Sequence, residues 1–498
     1  MIDGSGGGGR VTDIAVLNGK ITKIGDLSAA TAGQLINASG KIVTPGFIDI
    51  HTHSDRGIKT LPSGDNYVLQ GVTTILGGNC GGGCANVEIA TFLKDREGSI
   101  GLNFGTLIGF GDIRSHGMTD RTAAAPTQTE LATMKDLMKR AMLEGAFGIS
   151  TGLEYIPDRF ASTDEVVEIV KVAASYGGFY ATHSRDEQGN VLTSVGEAIE
   201  IGRKSGARVQ ISHLKPCGAE VWGYGKIMIS MITEARAMGL DITADHYPYG
   251  AASTGFYQIY PAWSLEGGID RLKERLADPA LKTRIQAYCA RQIRLRVGED
   301  YSLIQIAGYK PNKAWEGKTM KDALAESGKA ETMDKLLNLA HEMFIASGGN
   351  VSILYHHISE DDIQTIMRSP YVMFASDGDI RVFGDGAPHP RSYGTFPRVL
   401  RRYVNELYII SPEEAIRKMT SFPALKMKLP DRGLLKEGYW ADIVVYDEHG
   451  VKDMADYLNP HQYAAGIDYV VVNGKVAADH GRMVNQTAGM VLYGPGKK

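Results

Sequence analysis

The sequence predicts an α/β protein built as a (β/α)8 barrel, with a small β-domain made from both termini and an insert before the eighth barrel strand. Three observations support this fold class. Strand-like runs alternate with helical patterns through most of the 498 residues, as they do in a (β/α)8 barrel. Short segments of alternating polarity, each with an Asn-Gly pair, occur near both ends of the chain. A long stretch separates the seventh strand-like run from the eighth.

Residues 1–45 and 430–498 are expected to form the small β-domain. The runs "TDIAVLNGKITKIG" and "IDYVVVNGKVAADHGRMV" alternate apolar and polar residues around an Asn-Gly pair. Asn18-Gly19 and Asn473-Gly474 tolerate the positive φ angles that a two-residue hairpin turn requires. Because both ends of the chain share this pattern, we expect them to assemble into one domain.

Residues 46–429 are expected to form the barrel, with an insert at roughly residues 250–370. The predicted strands lie in the runs "GFIDIHTH", "TTILGGNC", "NFGTLIG", "FGISTGLE", "GFYATHSR", "RVQISHLK", "DITADHYPY" and "YVMFASDGD". Acidic residues soon after Ser162 indicate the start of a helix. A doubly wound sheet uses the same alternation and is the alternative fold. The insert has helical content and is expected to form a lid or shoulder over the barrel mouth, with His356 and His357 on it.

Composition argues against several classes of function. The net charge of −4 and the pI near 6.4 give no electrostatic basis for binding nucleic acid or an anionic membrane. Four cysteines are too few for a disulfide scaffold, so a reducing compartment is favoured. No apolar stretch is long enough to span a bilayer and no charged-then-apolar leader opens the chain, so a cytoplasmic location is expected. The oligomeric state stays open between a monomer and a homodimer.

Six side chains that can bind a metal ion follow predicted strands. They are His51, His53, Cys80, His183, His213 and Asp377. Because the carboxyl ends of barrel strands share one mouth, we expect the six groups to converge there. The His-x-His pair alone fits two ordinary histidines equally well, but a thiol and further imidazoles at the same mouth favour a metal site. Thiolate is a soft ligand that suits zinc.

Several motifs resemble those of the amidohydrolase superfamily, and in particular its N-acyl-D-amino-acid deacylases, the D-aminoacylases. The His-x-His strand in "GFIDIHTHSD" is common to the superfamily, whereas "GGNCG" and "HPRSYGTFPRVL" are much more specific. The similarity extends along nearly the whole chain through "ATHSRDE", "ISHLK", "FASDGD" and "DRGLLKEGYWADIVVYD". One departure is the loop after Cys80, which reads "GGGCANV" and contains an extra cysteine, Cys84. That loop is expected to alter the pocket near the metal.

The resemblance implies a tight zinc site at Cys80, His183 and His213, and a second, weaker site at His51, His53 and Asp377. One thiolate and two imidazoles leave zinc an open position for water or substrate. The metal lowers the pKa of that water toward neutrality and so generates a hydroxide nucleophile. Asp377 is then placed to accept the water's proton and to return it to the leaving amine.

Two cations are predicted to bind the carboxylate of the substrate. Lys215 shares the parity of His213 and so faces the barrel mouth, and Arg391 lies in the loop after the eighth strand. A lysine and an arginine near the metal are natural partners of a carboxylate. Tyr155, Tyr249 and Ser253 are further candidates for the carboxylate or oxyanion pocket, although packing explains these three equally well.

The predicted reaction is zinc-dependent hydrolysis of the amide bond of an N-acyl-D-amino acid, a small-molecule substrate, to a carboxylate and a D-amino acid. A D-dipeptidase is a close alternative, because its scissile bond is also an amide beside a carboxylate. A cyclic amidase similar to hydantoinases or dihydroorotases is a second alternative. It is disfavoured because such enzymes carry a metal-bridging lysine on the fourth strand, where this chain reads "FGISTGLEY". A non-enzymatic scaffold is disfavoured because all six ligand positions are filled.

Overall fold

Eight parallel strands form the centre of the protein in the computed structural model, which describes residues 1–83 and 85–498. Cys84 lies outside the described residues. The strands, in chain order, are Phe47–Asp49, Val72–Gly77, Asn103–Thr106 with Ile108–Gly109, Gly148–Gly152, Phe179–His183, Arg208–Ile211, Ile242–His246 and Val372–Phe374. Successive strands pair in parallel, in two sheets that meet at the third strand.

The eighth strand lies beside the first, so the strand order is cyclic. A parallel bridge joins Thr52 to Gly378. The backbone N–H of Asp377 donates to the carbonyl of His51 at 2.9 Å, and that of His53 donates to the carbonyl of Gly378 at 2.7 Å. An open doubly wound sheet has no such closing pair. The architecture is therefore mixed α/β of the TIM-barrel type, and the α/β class predicted from the sequence is confirmed.

The central strands are buried on both faces because helices cover the outside of the sheet. Every residue of Val72–Gly77 and of Phe179–His183 is buried. The longer covering helices are Phe110–Gly117, Gln128–Glu144, Thr163–Ser175, Val191–Ser205, Gly225–Ala237, Glu360–Arg368, Arg391–Arg398 and Pro412–Met419. Shorter helices are Gly57–Thr60, Asp65–Val68, Ile89–Lys94 and Ser421–Met427, and a π-helix spans Val399–Glu406. In the described residues, no helix is long and apolar enough to cross a membrane.

Strands from both ends of the chain form a separate antiparallel sheet. Its strands are Ile42–Pro45, Ile443–Tyr446, Ile467–Val472, Lys475–Asp479 and Arg482–Met483. The strands Asp13–Leu17 and Lys20–Gly25 form a hairpin of their own, which a bridge from Lys20 to Trp440 connects to the C-terminal region. Asn18 and Asn473 have φ angles of 52° and 51°, so both predicted hairpin turns are confirmed.

The segment between the seventh and eighth central strands contains a small α/β unit. Its strands are Ala252–Gly255, Ile304–Gly308 and Ser352–Tyr355, which form a three-stranded antiparallel sheet. Its helices are Ala262–Leu265, Gly268–Ala277, Pro279–Val297, Met320–Glu326 and Met333–Ala346. The sequence predicted the helices but not the sheet. A hydrophobic cluster that includes Phe256, Ile293 and Phe344 packs inside this unit, apart from the main core.

Candidate metal centre and active site

The six predicted metal-binding side chains lie at the carboxyl ends of five central strands. His51 and His53 follow the first strand, and Cys80 follows the second. His183 is the last residue of the fifth strand. His213 and Asp377 follow the sixth and eighth strands. The ring of strands therefore brings together residues that are up to 326 positions apart in the chain, from His51 to Asp377.

Three of these residues have a left-handed backbone conformation. The φ angles are 54° at Cys80, 35° at His213 and 51° at Asp377. A non-glycine residue held there costs on the order of 1–3 kcal/mol and is found mainly at functional sites. The strain is consistent with a chain that turns sharply at each strand end to aim the side chain into the barrel mouth.

Cys80, His183 and His213 form a compact group. Cys80 Sγ lies 3.6 Å from His213 Nε2, and His183 Nδ1 lies 2.9 Å from the same nitrogen. The ligand atoms of the three residues all lie within 4.8 Å of one another. Tetrahedral zinc with ordinary Zn–S and Zn–N bonds separates its ligand atoms by about 3.3–3.6 Å. The donor set fits a zinc ion, and the distance from Cys80 Sγ to His213 Nε2 matches that range, while the two imidazole nitrogens lie closer together.

A second group of possible ligands shares Cys80 with the first. It consists of His51, His53, Cys80 and Asp377. Asp377 Oδ1 lies 2.9 Å from His53 Nε2 and 3.4 Å from His51 Nε2. Cys80 Sγ is 3.4 Å from His51 Nε2. The thiol thus lies between the two groups and can serve as a ligand to either of two adjacent ions.

A carboxylate lies against each of three ligand histidines. His51 Nδ1 is 3.1 Å from Asp245 Oδ1, and His183 Nε2 is 3.0 Å from Glu154 Oε2. His213 Nδ1 is 3.0 Å from Glu187 Oε1. Such partners fix the ring orientation and the tautomer, and leave the other ring nitrogen for the metal.

Sequence reasoning missed these three carboxylates, although each had a visible position. Glu154 and Asp245 are at the ends of the fourth and seventh strands, and Glu187 follows His183 in "ATHSRDE". An acidic residue at a strand end was the available signal.

The electrostatics of the site favour the anionic forms of two ligands. Burial alone would raise the pKa of the Cys80 thiol, but His51 and the other neighbouring imidazoles hold that pKa well below its ordinary value. Burial would also raise the pKa of Asp377, but the Arg391 guanidinium, together with His213 and His51, holds that pKa well below the usual range. Thiolate and carboxylate are the forms that bind a metal.

The two predicted substrate cations are buried next to the metal-binding groups. Lys215 Nζ lies 2.6 Å from Glu187 Oε1 and 2.8 Å from His213 Nδ1. The Arg391 guanidinium lies 2.7 Å from Asp377 Oδ2. Each cation therefore has a carboxylate partner, and each partner also contacts a ligand histidine.

The other predicted substrate contacts divide into two sets. Tyr155 and Ser253 line the cavity that contains the metal-binding groups. Tyr249 is not among the described residues that line it, and its ring instead lies 4.8 Å from the Arg398 guanidinium. Tyr247, two positions earlier, does line the cavity, and its ring lies near both Lys215 and Arg391. The sequence interpretation missed Tyr247, which follows the seventh strand directly.

The cavity lies between the strand ends and the inserted unit. One wall contains the strand-end residues, and another comes from the inserted unit. The insert side chains in the wall include Ser253, Thr254, Gln258, Arg296, Tyr355 and His357. Among the described lining residues, none has an aliphatic side chain larger than that of Ala252.

The chain belongs to the amidohydrolase family, whose sequence model matches residues 34–98 and 280–478. It is similar to D-aminoacylase from Alcaligenes xylosoxydans xylosoxydans, with 34% identity over 514 residues that cover 99% of this chain and 96% of the relative.

Two similar solved structures are those of a D-aminoacylase and an N-acyl-D-glutamate deacylase. A D-aminoacylase structure with a binuclear metal center, described by one-metal activation and second-metal attenuation, has a TM-score of 0.83 and 31% identity. The comparison covers 99% of this chain and 98% of the other. N-acyl-D-glutamate deacylase from Bordetella bronchiseptica, complexed with zinc and a phosphonate mimic of the tetrahedral intermediate, has a TM-score of 0.83 and 30% identity. Here 99% of this chain and 97% of the other are covered.

Proposed function

We propose that the protein hydrolyses the amide bond of N-acyl-D-amino acids and releases a carboxylate and a free D-amino acid. The observation that carries this proposal is the group of Cys80, His183 and His213 beside two buried cations, Lys215 and Arg391. The first three side chains suit a metal that activates an amide, and the cations suit the carboxylate of an amino acid. The activities in the names of the similar deacylases support the same reaction.

Zinc is the metal that we propose, with one tight site at Cys80, His183 and His213. His51, His53 and Asp377 would hold a second ion more weakly, because the Cys80 thiolate that both groups share would already be a ligand of the first ion. When bound, zinc supplies a Lewis acid that polarises the amide carbonyl and lowers the pKa of the attacking water.

Asp377 is the group that we assign to proton transfer. Its low pKa keeps it ionised at neutral pH, so it can accept a proton from the attacking water. It then returns that proton to the amide nitrogen, because an unprotonated amine anion is a poor leaving group. Arg391, 2.7 Å from Asp377 Oδ2, orients the carboxylate and stabilises its charge.

The substrate carboxylate would lie between Lys215 and Arg391. Both ammonium and guanidinium groups are held in place by their carboxylate partners. Tyr247 lies near both cations, with its hydroxyl buried and without a hydrogen-bond partner in the described residues. Tyr155 and Ser253 line the cavity and complete the carboxylate or oxyanion contacts in this proposal. Tyr249 would act only indirectly, by packing behind this wall.

A cyclic amidase is less well supported. The fourth strand, Gly148–Gly152, has the sequence GISTG and offers no lysine to bridge two metals. Cys80 occupies the position between the two groups of ligands, which makes a bridging lysine unnecessary.

We also propose a domain division and a location for the chain. Residues 1–45 and 430–498 would form the small β-domain, and residues 46–429 the hydrolase domain with an insert at roughly 250–370. The antiparallel sheet that contains strands from both regions supports this division. The few cysteines favour a reducing location, and we propose the cytoplasm.

A hydrolysis screen tests the proposed function. Purified zinc-loaded protein is incubated with N-acetyl-D- and N-acetyl-L-amino acids of varied side chain, and release of the free amine is measured. We expect hydrolysis of D substrates with at least a hundredfold preference over their L enantiomers. Hydrolysis of hydantoin or dihydroorotate with no activity on any linear N-acetyl-D-amino acid would contradict the proposal.

A further inference from the structure

One part of the cavity wall is polar, and the charged side chain in it, that of Arg296, is paired with a carboxylate. Tyr355 ends an insert strand and His357 follows it, and their rings lie 5.6 Å apart, centre to centre. Arg296, from the insert helix Pro279–Val297, lies with its guanidinium 5.6 Å from the Tyr355 ring. All three line the metal cavity and are at most 3% exposed.

The polar atoms of Tyr355 and His357 have no partner within the part of the chain that the structure describes. These atoms are the Tyr355 hydroxyl and both ring nitrogens of His357. Leaving a buried polar atom without a hydrogen bond is unfavourable. Polar atoms that lack a partner in the protein, on side chains that line a cavity, are suited to bind a ligand.

Hydrogen bonds hold the backbone of His357, whereas its ring nitrogens have no partner in the described residues. Its carbonyl accepts hydrogen bonds from the Gly218 backbone N–H at 2.9 Å and from Trp222 Nε1 at 3.0 Å. The imidazole is also neutral at physiological pH, because burial, reinforced by Arg296, lowers its pKa to about 3. A neutral imidazole offers one N–H donor and one acceptor.

The cation nearest to these atoms already has a carboxylate partner. Arg296 pairs with Glu154 at 3.0 Å, and another of its nitrogens donates to Gln292 Oε1 at 2.6 Å. A second carboxylate brought here would have to share the single guanidinium of Arg296 with Glu154 and would be repelled by that carboxylate. An aliphatic group would leave the hydroxyl and imidazole without partners, which is costly in a buried site.

The location of this wall indicates which part of the substrate would meet it. Gly218, which binds the His357 carbonyl, follows Lys215 by three residues. Both Lys215 and His357 line the same cavity. If Lys215 binds the α-carboxylate, the group that reaches His357 is the neighbouring substituent on the α-carbon, the D-side chain.

We propose that Tyr355 and His357 form a subsite that hydrogen-bonds an uncharged polar side chain of the D-amino acid, an amide or a hydroxyl. The inference rests on the proposed function and names the substrate class of that same site. N-acyl derivatives of D-glutamine, D-asparagine and D-serine are substrates of this class.

Three N-acetyl substrates of matched size test the subsite: the derivatives of D-glutamine, D-glutamate and D-methionine. We expect kcat/KM for the glutamine derivative to exceed both others by at least tenfold. In Tyr355→Phe and His357→Leu this preference should fall by at least tenfold, mainly through KM. Activity on the methionine derivative should change less than threefold. Tyr309→Phe is the matched control, since Tyr309 is buried in the insert but is not among the described residues that line the cavity.

The outcomes separate this inference from the proposed function. If no N-acetyl-D-amino acid is hydrolysed by zinc-loaded protein, the proposed function itself fails. If D-amino acids are released but the glutamate or methionine derivative is preferred, only the subsite is overturned. Equal losses on all three substrates in the variants would likewise overturn it, because they would indicate a structural effect. N-acyl-D-alanine substrates with different acyl groups are also compared. If the variants change the preference among these acyl groups, the wall contacts the acyl group, and the side-chain assignment is overturned.

Discussion

Cys80 is the residue on which the proposed metal centre depends most, because its Sγ lies 3.4 Å from His51 Nε2 and 3.6 Å from His213 Nε2. We expect Cys80→Ala to lose most of the bound zinc and the activity together, because two imidazoles alone bind zinc poorly. Zinc content after dialysis and kcat/KM measure the two effects. Cys289→Ala is the control, because Cys289 is buried in the insert core. This variant should keep its bound zinc. Full activity with unchanged zinc content in Cys80→Ala would contradict the assignment.

Asp377 is expected to act on turnover more than on metal retention. Asp377→Asn should keep zinc at the tight site, which uses other ligands, and should lower kcat by about two to four orders of magnitude, the range for a lost general base or acid. The substitution also leaves the buried Arg391 without its partner, so stability should fall as well. Rates are therefore taken per folded, zinc-loaded molecule. Loss of all zinc, or a raised KM with kcat unchanged, would contradict the role.

Lys215 and Arg391 are expected to recognise the charge of the substrate. Lys215→Ala and Arg391→Ala should each lower kcat/KM on free-carboxylate substrates. The loss should correspond to about 2–4 kcal/mol of transition-state stabilisation, the cost of leaving a buried charge unpaired. The matching substrate amide lacks that charge and serves as the control. On the amide, Lys215→Ala should lose far less activity, and Arg391→Ala should lose only the part that comes from its contact with Asp377. Because Lys215 also contacts Glu187 and His213, this comparison separates recognition from metal binding. Equal losses on acid and amide would assign both residues to structure or metal.

At the scale of single elements, helix Thr163–Ser175 shows how a local sequence signal is realised. Ser162 caps it, and its hydroxyl accepts from the Glu165 backbone N–H at 3.2 Å, as the sequence predicted. We expect Ser162→Ala to lower the free energy of unfolding by about 1 kcal/mol with kcat unchanged. Ser175→Ala, at the exposed end of the same helix, should change it by less than about 0.5 kcal/mol. Equal effects of the two substitutions in denaturant unfolding would show that the cap contributes nothing.

The strand ends were predictable from the sequence because buried strands are continuous apolar runs, and the polar residue that follows each run is conspicuous. That is why His183 and Asp377 could be placed correctly on strand ends. The carboxylate partners were harder, because Glu154 contacts His183 from the end of the neighbouring strand and sequence spacing does not reveal such a pair. The choice between Tyr247 and Tyr249 depends on how the chain turns after the seventh strand, which the local pattern does not encode.

The insert sheet escaped prediction for a different reason. Its outer strand Ala252–Gly255 has the sequence ASTG, which lacks the β-branched run typical of a strand. It forms because Ser352–Tyr355 offers a pairing partner about a hundred residues later, and that long-range contact overrides the weak local preference. The insert's contribution to the cavity wall could therefore be found only from the assembled structure.

At the scale of the whole molecule, the proposed metal site would join the ends of five central strands and so should stabilise the closed barrel. The ligand atoms of Cys80, His183 and His213 lie within 4.8 Å of one another, and a bound ion links strands that are far apart in sequence. A ligand that binds only the folded state stabilises it by about 2.7 kcal/mol when its free concentration is a hundred times Kd.

We expect chelation to lower Tm reversibly and zinc to restore it. Thermal unfolding with and without chelator measures this, and Cys80→Ala serves as the control because it should lose most of the zinc-dependent shift. An unchanged Tm after verified removal of zinc would mean that the barrel mouth is held closed by its own hydrogen bonds and ion pairs, and that metal binding is separate from stability.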